Sequence, residues 1–285
     1  MTYEINVQIS KHLLSPVPPL SALSMTEAGL VQTLEGGRAA LPLLPQVAAQ
    51  ALELANNQDS TVREFSELVM KDPPIAARFL ATANSALYSR GQSIRSVHDA
   101  VARIGLAASR DLVFQVVYAS TMTGMKHFQN EVQASFRRSV LCGVLCRIAA
   151  PVLGLNISDA YLCGLLHDIG ESRVYRILDE AKSTPSVEEA AQLVRKYHPR
   201  AGAELAMRWA LPDDIVQVCR RHEETEPPAT DRLRLVRLTD LLAPRIEEAT
   251  KEPAPLAGSG IEALGVSPDL AQTIIDRGLS AALRM

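Results

Sequence analysis

The chain has 285 residues, of which 47% are hydrophobic and 21% charged, enough apolar material for one large domain or two modest ones. Its formal net charge of -3 gives no strong field toward nucleic acid or anionic lipid, and 4% aromatic content leaves few stacking platforms for single strands. The cysteines Cys142, Cys146, Cys163 and Cys219 form no CxxC pair and read as small buried hydrophobes in a reducing compartment rather than a zinc or disulfide framework.

The opening MTYEINVQISKHLL carries Glu4 and lacks a cleavable apolar run, so it does not read as a secretory leader. Residues 1–25, with Pro16, Pro18 and Pro19, read as a loosely held arm. Leu44, Val47, Ala48, Ala51, Leu52 and Ala55 then recur at helical spacing, as do Val62, Phe65, Leu68 and Val69. Thr61 with Glu64 forms a capping box that starts the second of these helices, and Asp72-Pro73-Pro74 stops it. Ser96 with Asp99 caps another helix, which ends near Gly105. Residues 122–130, MTGMKHFQN, read as a junction between two helical halves. The tract VLCGVLCRIAAPVLGL is interrupted by Arg147 and Pro151 and is too short to span a bilayer, so a cytoplasmic location is expected. Ser186 with Glu189 caps a later helix. Residues 251–260, KEPAPLAGSG, read as a loop, and Ser267-Pro268 fits the N-cap and first position of the last helix. Strict alternation and Asn-Gly or Asp-Gly hairpin turns do not occur, so an all-α protein is expected.

Residues 164–178, GLLHDIGESRVYRIL, carry the chemistry. Imidazole nitrogens and carboxylate oxygens supply lone pairs to divalent metals. His167 and Asp168 lie about 100° apart around a helix and face one centre only if that helix end is buried in a bundle. Further ligands have to come from other helices, and His198, His222 and Asp240 are the candidates.

The order His-Asp, HPRAGAELAMRWALP, VCRRHEE, LVRLTDLLA resembles the HD superfamily of metal-dependent phosphohydrolases. LPLLPQVAAQALEL, KDPPIAARFLATANSALYS and SIRSVHDAVARIGLAASRDLVF are similar to the HDOD family, the HD-related output domain of bacterial signalling proteins. The two parts together cover roughly residues 38 to 245. The resemblance implies an N-terminal helical subdomain packed on an HD-like bundle: an arm over 1–30, the first subdomain over 31–125, and the HD-like subdomain with its C-terminal helix over 126–285. It also implies a regulatory role, with His167, Asp168 and Asp240 matching HD ligands, and His198 and His222 matching further ligands of cyclic-dinucleotide phosphodiesterases.

Three positions depart from that pattern. Arg138 stands where relatives place the first His ligand, Glu171 where active relatives often carry Lys, and Glu223 where a second His is common. A guanidinium has no lone pair and does not deprotonate, so it cannot ligate and repels a cation. Arg138 is therefore expected to pair with Asp168 or Asp240, and the remnant pocket of Arg138, His167, Asp168, Glu171, His198, His222 and Asp240 to hold no cofactor and no metal. Any residual metal, such as Mn, Fe or Ni, would sit on His167, Asp168 and Asp240. Judged alone, His198 before Pro199 reads as a partly exposed residue at a helix end, and His222 as a solvated one. His12, His98 and His127 read as structural, Arg232, Arg234 and Arg237 as a solvated face, and Asn84 and Ser85 as a helix terminator.

The expected function is a non-catalytic bacterial signalling module. It binds signalling or regulatory proteins, or a nucleotide second messenger, and touches neither membrane nor nucleic acid. The alternatives are a metal-dependent phosphohydrolase acting on a nucleotide or cyclic dinucleotide, and a scaffold without ligand response.

Overall fold

Local chemistry starts most of the helices. The computed structural model describes residues 27–35, 45–57, 59–89, 91–251 and 264–283. The arm at 1–25, His12, Leu44 and all but the first residue of the 251–260 loop lie outside them. Helix α1 spans Glu27–Glu35, α2 Gln46–Asn56, α3 Val62–Val69, α4 Pro73–Ala83, α5 Val97–Ile104 and α6 Leu106–Ser120. Then follow α7 (Gln129–Val152), α8 (Ala160–Leu166), α9 (Ile169–Asp179), α10 (Val187–Arg208), α11 (Asp213–Arg221), α12 (Asp231–Lys251) and α13 (Pro268–Ala282). No strand occurs among the described residues, and the fold is all-α. No helix among them is long and apolar enough to cross a membrane.

The caps read from sequence form. Thr61 and Ser186 close reciprocal capping boxes with Glu64 and Glu189, while Ser96 and Ser267 accept from the backbone N–H of Asp99 and Leu270. Asp72 does more than expected. Its side chain accepts from the Ile75 N–H with Pro73 at the first position, so the tripeptide read as a stop also starts α4. Pro199 is the larger departure, because α10 runs straight through it. Proline removes a helical donor and disfavours helix at the residue before it. Tertiary packing overrides that local preference here.

Helices α2 to α6 pack on one another, and α7 to α13 form a larger bundle. One continuous apolar core joins them, running from Val47 and Phe65 through Phe114 and Leu145 to Ile274. A second, smaller core gathers Leu30 and Leu34 of α1 with Phe128, Tyr175, Ile177 and Val194. The boundary expected between residues 30 and 31 therefore falls inside α1, whose partners belong to the larger bundle. Residues 121–128 link α6 to α7. Asp179 holds this link by accepting from the backbone N–H groups of Lys126 and His127.

Two glycines of the GLLHDIG stretch set the spacing of the bundle. A Cβ on Gly164 would stand 2.6 Å from the Cys142 carbonyl carbon, so α8 lies directly against α7. A Cβ on Gly170 would stand 2.5 Å from the Gly202 nitrogen and closer still to the His198 carbonyl oxygen, so α9 lies against α10. Both obstacles are backbone and cannot swing away. At Gly278 the obstacles are instead the side-chain tips of Leu145 and Ile246. Gly170→Ala is expected to cost about 3 kcal/mol or more and Gly278→Ala about 1 kcal/mol, read from denaturant midpoints. Equal costs would show that the α9–α10 approach is not a hard limit.

Candidate functional site

His167 and Asp168 lie at the corner between α8 and α9, as the two residues separating these helices, rather than within one helix. Both are buried, as are His198 in the middle of α10 and His222 at the end of α11. The exposed helix-end reading of His198 and the solvated reading of His222 are thus corrected. Each is placed by its helix and then shielded by the neighbouring one.

The corner is pinned from several sides. Tyr118 of α6 donates its hydroxyl to the Asp168 carbonyl at 3.3 Å, and Cys219 of α11 donates to the Leu166 carbonyl at 3.2 Å. The imidazoles are oriented by backbone carbonyls: Nδ1 of His167 meets Gly164 at 2.8 Å, that of His198 meets Val194 at 2.9 Å, and that of His222 meets Val218 and Cys219 at 3.1 Å. A carbonyl only accepts, so each Nδ1 carries a proton and each Nε2 is turned inward.

All three Nε2 atoms converge on one carboxylate. His198 and His222 approach Asp168 Oδ1 at 3.4 and 3.1 Å, and their own Nε2 atoms are 3.1 Å apart. His167 Nε2 stands 3.2 Å from Asp168 Oδ2 and 3.4 Å from Asp240 Oδ1 of α12. Two inward imidazole nitrogens this close repel unless a proton or cation lies between them. Bonds of about 2.0–2.1 Å to one octahedral or tetrahedral cation give ligand–ligand edges of about 2.8–3.4 Å. The Asp168–His198–His222 trio has edges of that length, so its donor set fits one divalent cation.

The other side of the centre differs. Arg138 Nη2 lies 3.3 Å from both Glu171 carboxylate oxygens and 3.7 Å from Asp168 Oδ2. Arg138 thus pairs first with Glu171, second with Asp168. Cys142, one turn further along α7, completes a second trio with His167 and Asp240, all ligand atoms within 4.8 Å. Sequence reading passed over Cys142, although its spacing of four from Arg138 puts both on one helix face. Burial, reinforced by Asp240, pushes its thiol well above the usual range, so it is a poor substitute for an imidazole.

Protons can balance the centre. Burial alone would lower His167, but Asp168 and Asp240 outweigh it and hold the imidazole well above its ordinary range. Burial would raise Asp168, yet His167, His198 and His222 hold it well below the carboxylate range. Burial likewise opposes the charge on His198, and Asp168 raises it. For Glu171, burial and then Asp168 push the carboxyl up against the pull of Arg138.

The remaining residues singled out in the sequence have structural partners. Arg232 pairs with Asp159 and Asp214, Arg234 donates to the Leu264 and Gly265 carbonyls, and Arg237 donates to the Arg221 carbonyl. These arginines are tied down rather than forming a solvated face. Asn84 ends α4 and exchanges two hydrogen bonds with the Ile94 backbone. His98 lies 3.6 Å from Asp99 at the surface.

The model of the HDOD domain family matches residues 41–225, well over half the chain. The chain belongs to the HDOD domain family. The match stops short of Asp240. A 1.90 Å crystal structure of an HDOD domain protein from Geobacter sulfurreducens aligns over 88% of each chain, with a TM-score of 0.62 and 25% identity. A protein provisionally described as a metal-dependent phosphohydrolase, from Shewanella amazonensis SB2B, shares the fold over 90% of this chain and 97% of its own, with a TM-score of 0.64 and 24% identity. Among curated relatives, an uncharacterised protein of Treponema pallidum is 26% identical over 63% of this HDOD chain. A ribonuclease Y of Nitratidesulfovibrio vulgaris is 27% identical over 74% of it. The chain spans 37% and 34% of the lengths of these two relatives.

The charge balance sets a pH signature for protein stripped of metal. The folded-state pKa of His167 is raised, so its stabilisation is complete below the unfolded value of 6.5 and is lost as pH rises through the folded value. That of Asp168 is depressed, so its contribution is complete above the unfolded value of 3.8 and is lost only as pH falls through a much lower value. Stability in EDTA should therefore decline on the alkaline side of neutrality, and His167→Asn should flatten that limb. An unchanged limb in the variant would refute the assignment of the imidazolium.

Proposed function

We propose that this HDOD protein is a non-catalytic regulatory module of bacterial signalling, acting by binding partner proteins or a nucleotide, with an HD centre closed to hydrolysis. The observation that carries the reading is Arg138. Its guanidinium lies beside Asp168 where relatives place an imidazole ligand, and it is held there by Glu171 at 3.3 Å. Phosphodiester hydrolysis at such a centre needs a Lewis acid and an activated water, supplied by bound divalent metal. Asp168, His198 and His222 would hold one such ion. The side facing Arg138 offers a fixed positive charge and a protonated thiol in place of a ligand pair. Glu171 is spent on that guanidinium, so the position where active relatives often carry Lys offers no free cation to a phosphate.

A second reading, a phosphohydrolase acting on a nucleotide or cyclic dinucleotide, is favoured by one observation: the converged Nε2 atoms of His198 and His222 at cation-edge spacing. The likeness to ribonuclease Y points toward the same phosphodiester chemistry.

One experiment separates the two. The purified chain is incubated with Mn, Fe(II) or Ni, then assayed for bound metal and for hydrolysis of bis(p-nitrophenyl) phosphate and a cyclic dinucleotide. No turnover is expected from the natural sequence, and Arg138→His should gain metal occupancy and a metal-dependent rise in Tm. Metal-dependent hydrolysis by the natural sequence that disappears in Asp168→Ala would establish the second reading instead.

A further inference from the structure

We propose that the cleft between the two helical groups, lined by none of the HD-centre residues, binds a nucleotide through Arg78 and Arg147. This rests on the reading of the chain as a module that answers a small ligand, and it assigns that ligand a place.

One wall of the cleft is α4 with the turn that follows it, the stretch KDPPIAARFLATANSALYS that carries much of the family resemblance. Arg78, Thr82, Ser85 and Tyr88 face into it. The floor is α6, through Asp111 and Gln115, and the far wall is α7 and α8, through Arg147 and Tyr161. The cavity measures about 350 Å³. A second lobe of about 520 Å³ shares Asp111, Arg147 and Tyr161 with it. Cavities of this size accommodate small organic ligands.

The charges in the cleft are uneven. Asp111 is buried, and its Oδ1 accepts from Arg110 Nε and Nη2 at 3.1 and 2.8 Å. Those two groups cancel. Arg147 Nη1 stands 3.9 Å from Asp111 Oδ2, outside hydrogen-bond reach, and its guanidinium lies over the Tyr161 ring at 5.1 Å from the centroid. Arg78 is exposed and makes no hydrogen bond or salt bridge among the described residues. Two guanidinium forks therefore face one cavity from opposite walls, Arg78 unpaired and Arg147 held only by one long ion pair and the Tyr161 ring.

That pattern suits a phosphate chain, which accepts from several N–H groups at once. The second lobe adds to it: the first turn of α6 borders it, and that helix begins at Gly105, φ +85°, with no side-chain cap on its N–H groups. The other end of the cleft suits a base. Leu87 is 55% exposed there beside the half-buried Tyr88 ring, with the Thr82 and Ser85 hydroxyls next to it. A ring system with polar edges would cover the apolar surface and meet those hydroxyls. Neither an acidic peptide nor bare phosphate uses both ends.

The test is calorimetric titration of the full chain with ATP and with GTP in EDTA, alongside inorganic pyrophosphate, with thermal melts as the fold control. At least one nucleotide should bind, and more tightly than pyrophosphate. Loss of one charge-assisted contact should weaken it about tenfold in Arg78→Ala and in Arg147→Gln. Asp240→Asn, which alters the HD centre, should leave the affinity within about twofold. Arg78 is exposed and unpaired, so its removal tests the idea even if Arg147→Gln melts early. The proposal is overturned if neither nucleotide binds, if both arginine variants keep full affinity, or if Asp240→Asn alone abolishes binding. None of those results produces metal-dependent turnover, which is what would overturn the regulatory reading.

Discussion

The Asp168 carboxylate organises the larger bundle. Three imidazoles from three parts of the chain end on its two oxygens. A lone carboxylate in that position would cost several kcal/mol in desolvation and would simply take up a proton. It stays ionised because the charge on His167 and hydrogen bonds from the imidazoles hold it so, and the rings stay close because each Nδ1 is bonded to the backbone of its own helix. The geometry of the centre is thus inherited from helix positions rather than from flexible side chains. Anything that moves α8, α10 or α11 relative to the α8–α9 corner changes the charge balance directly.

That dependence explains the glycines. The corner can reach Cys142 on one side and His198 on the other only if two pairs of backbones approach without intervening side chains, and Gly164 and Gly170 permit it. Arg138 is the counterpart on α7. A long guanidinium at the rim reaches Glu171 and Asp168 from a third-exposed position, where a shorter imidazole would have pointed at the centre itself. In this chain the position on α7 therefore carries a fixed charge paired with Glu171 and Asp168.

Much of this was legible in the sequence because the signals are local. Capping residues at Thr61, Ser96, Ser186 and Ser267 act within one turn of themselves, and helical spacing reports burial directly. The family resemblance supplied the set of residues that meet in the centre. What the sequence hid was long-range. Nothing near His198 announces that Pro199 lies inside a 22-residue helix, since the packing that overrides proline comes from α9. Cys142 looked like any buried thiol because its partners are 25 and 98 residues away. The placement of α1 on the larger bundle was illegible for the same reason: its ties are to Lys196, Tyr197 and Arg200.

Helix α6 connects the parts that local reading kept separate. Its first turns carry Arg110 and Asp111 against the cleft, and its last turns carry Tyr118, whose hydroxyl meets the Asp168 carbonyl. The same helix end offers the Thr121 carbonyl to Arg176 of α9, and Thr121 Oγ1 lies 3.2 Å from Ser172 Oγ. A rigid helix about 22 Å long that is bonded at both ends cannot shift at one without straining the other. The connection through α6 does not depend on what occupies the HD centre, because it is built from helix positions and buried hydrogen bonds rather than from the ligating groups.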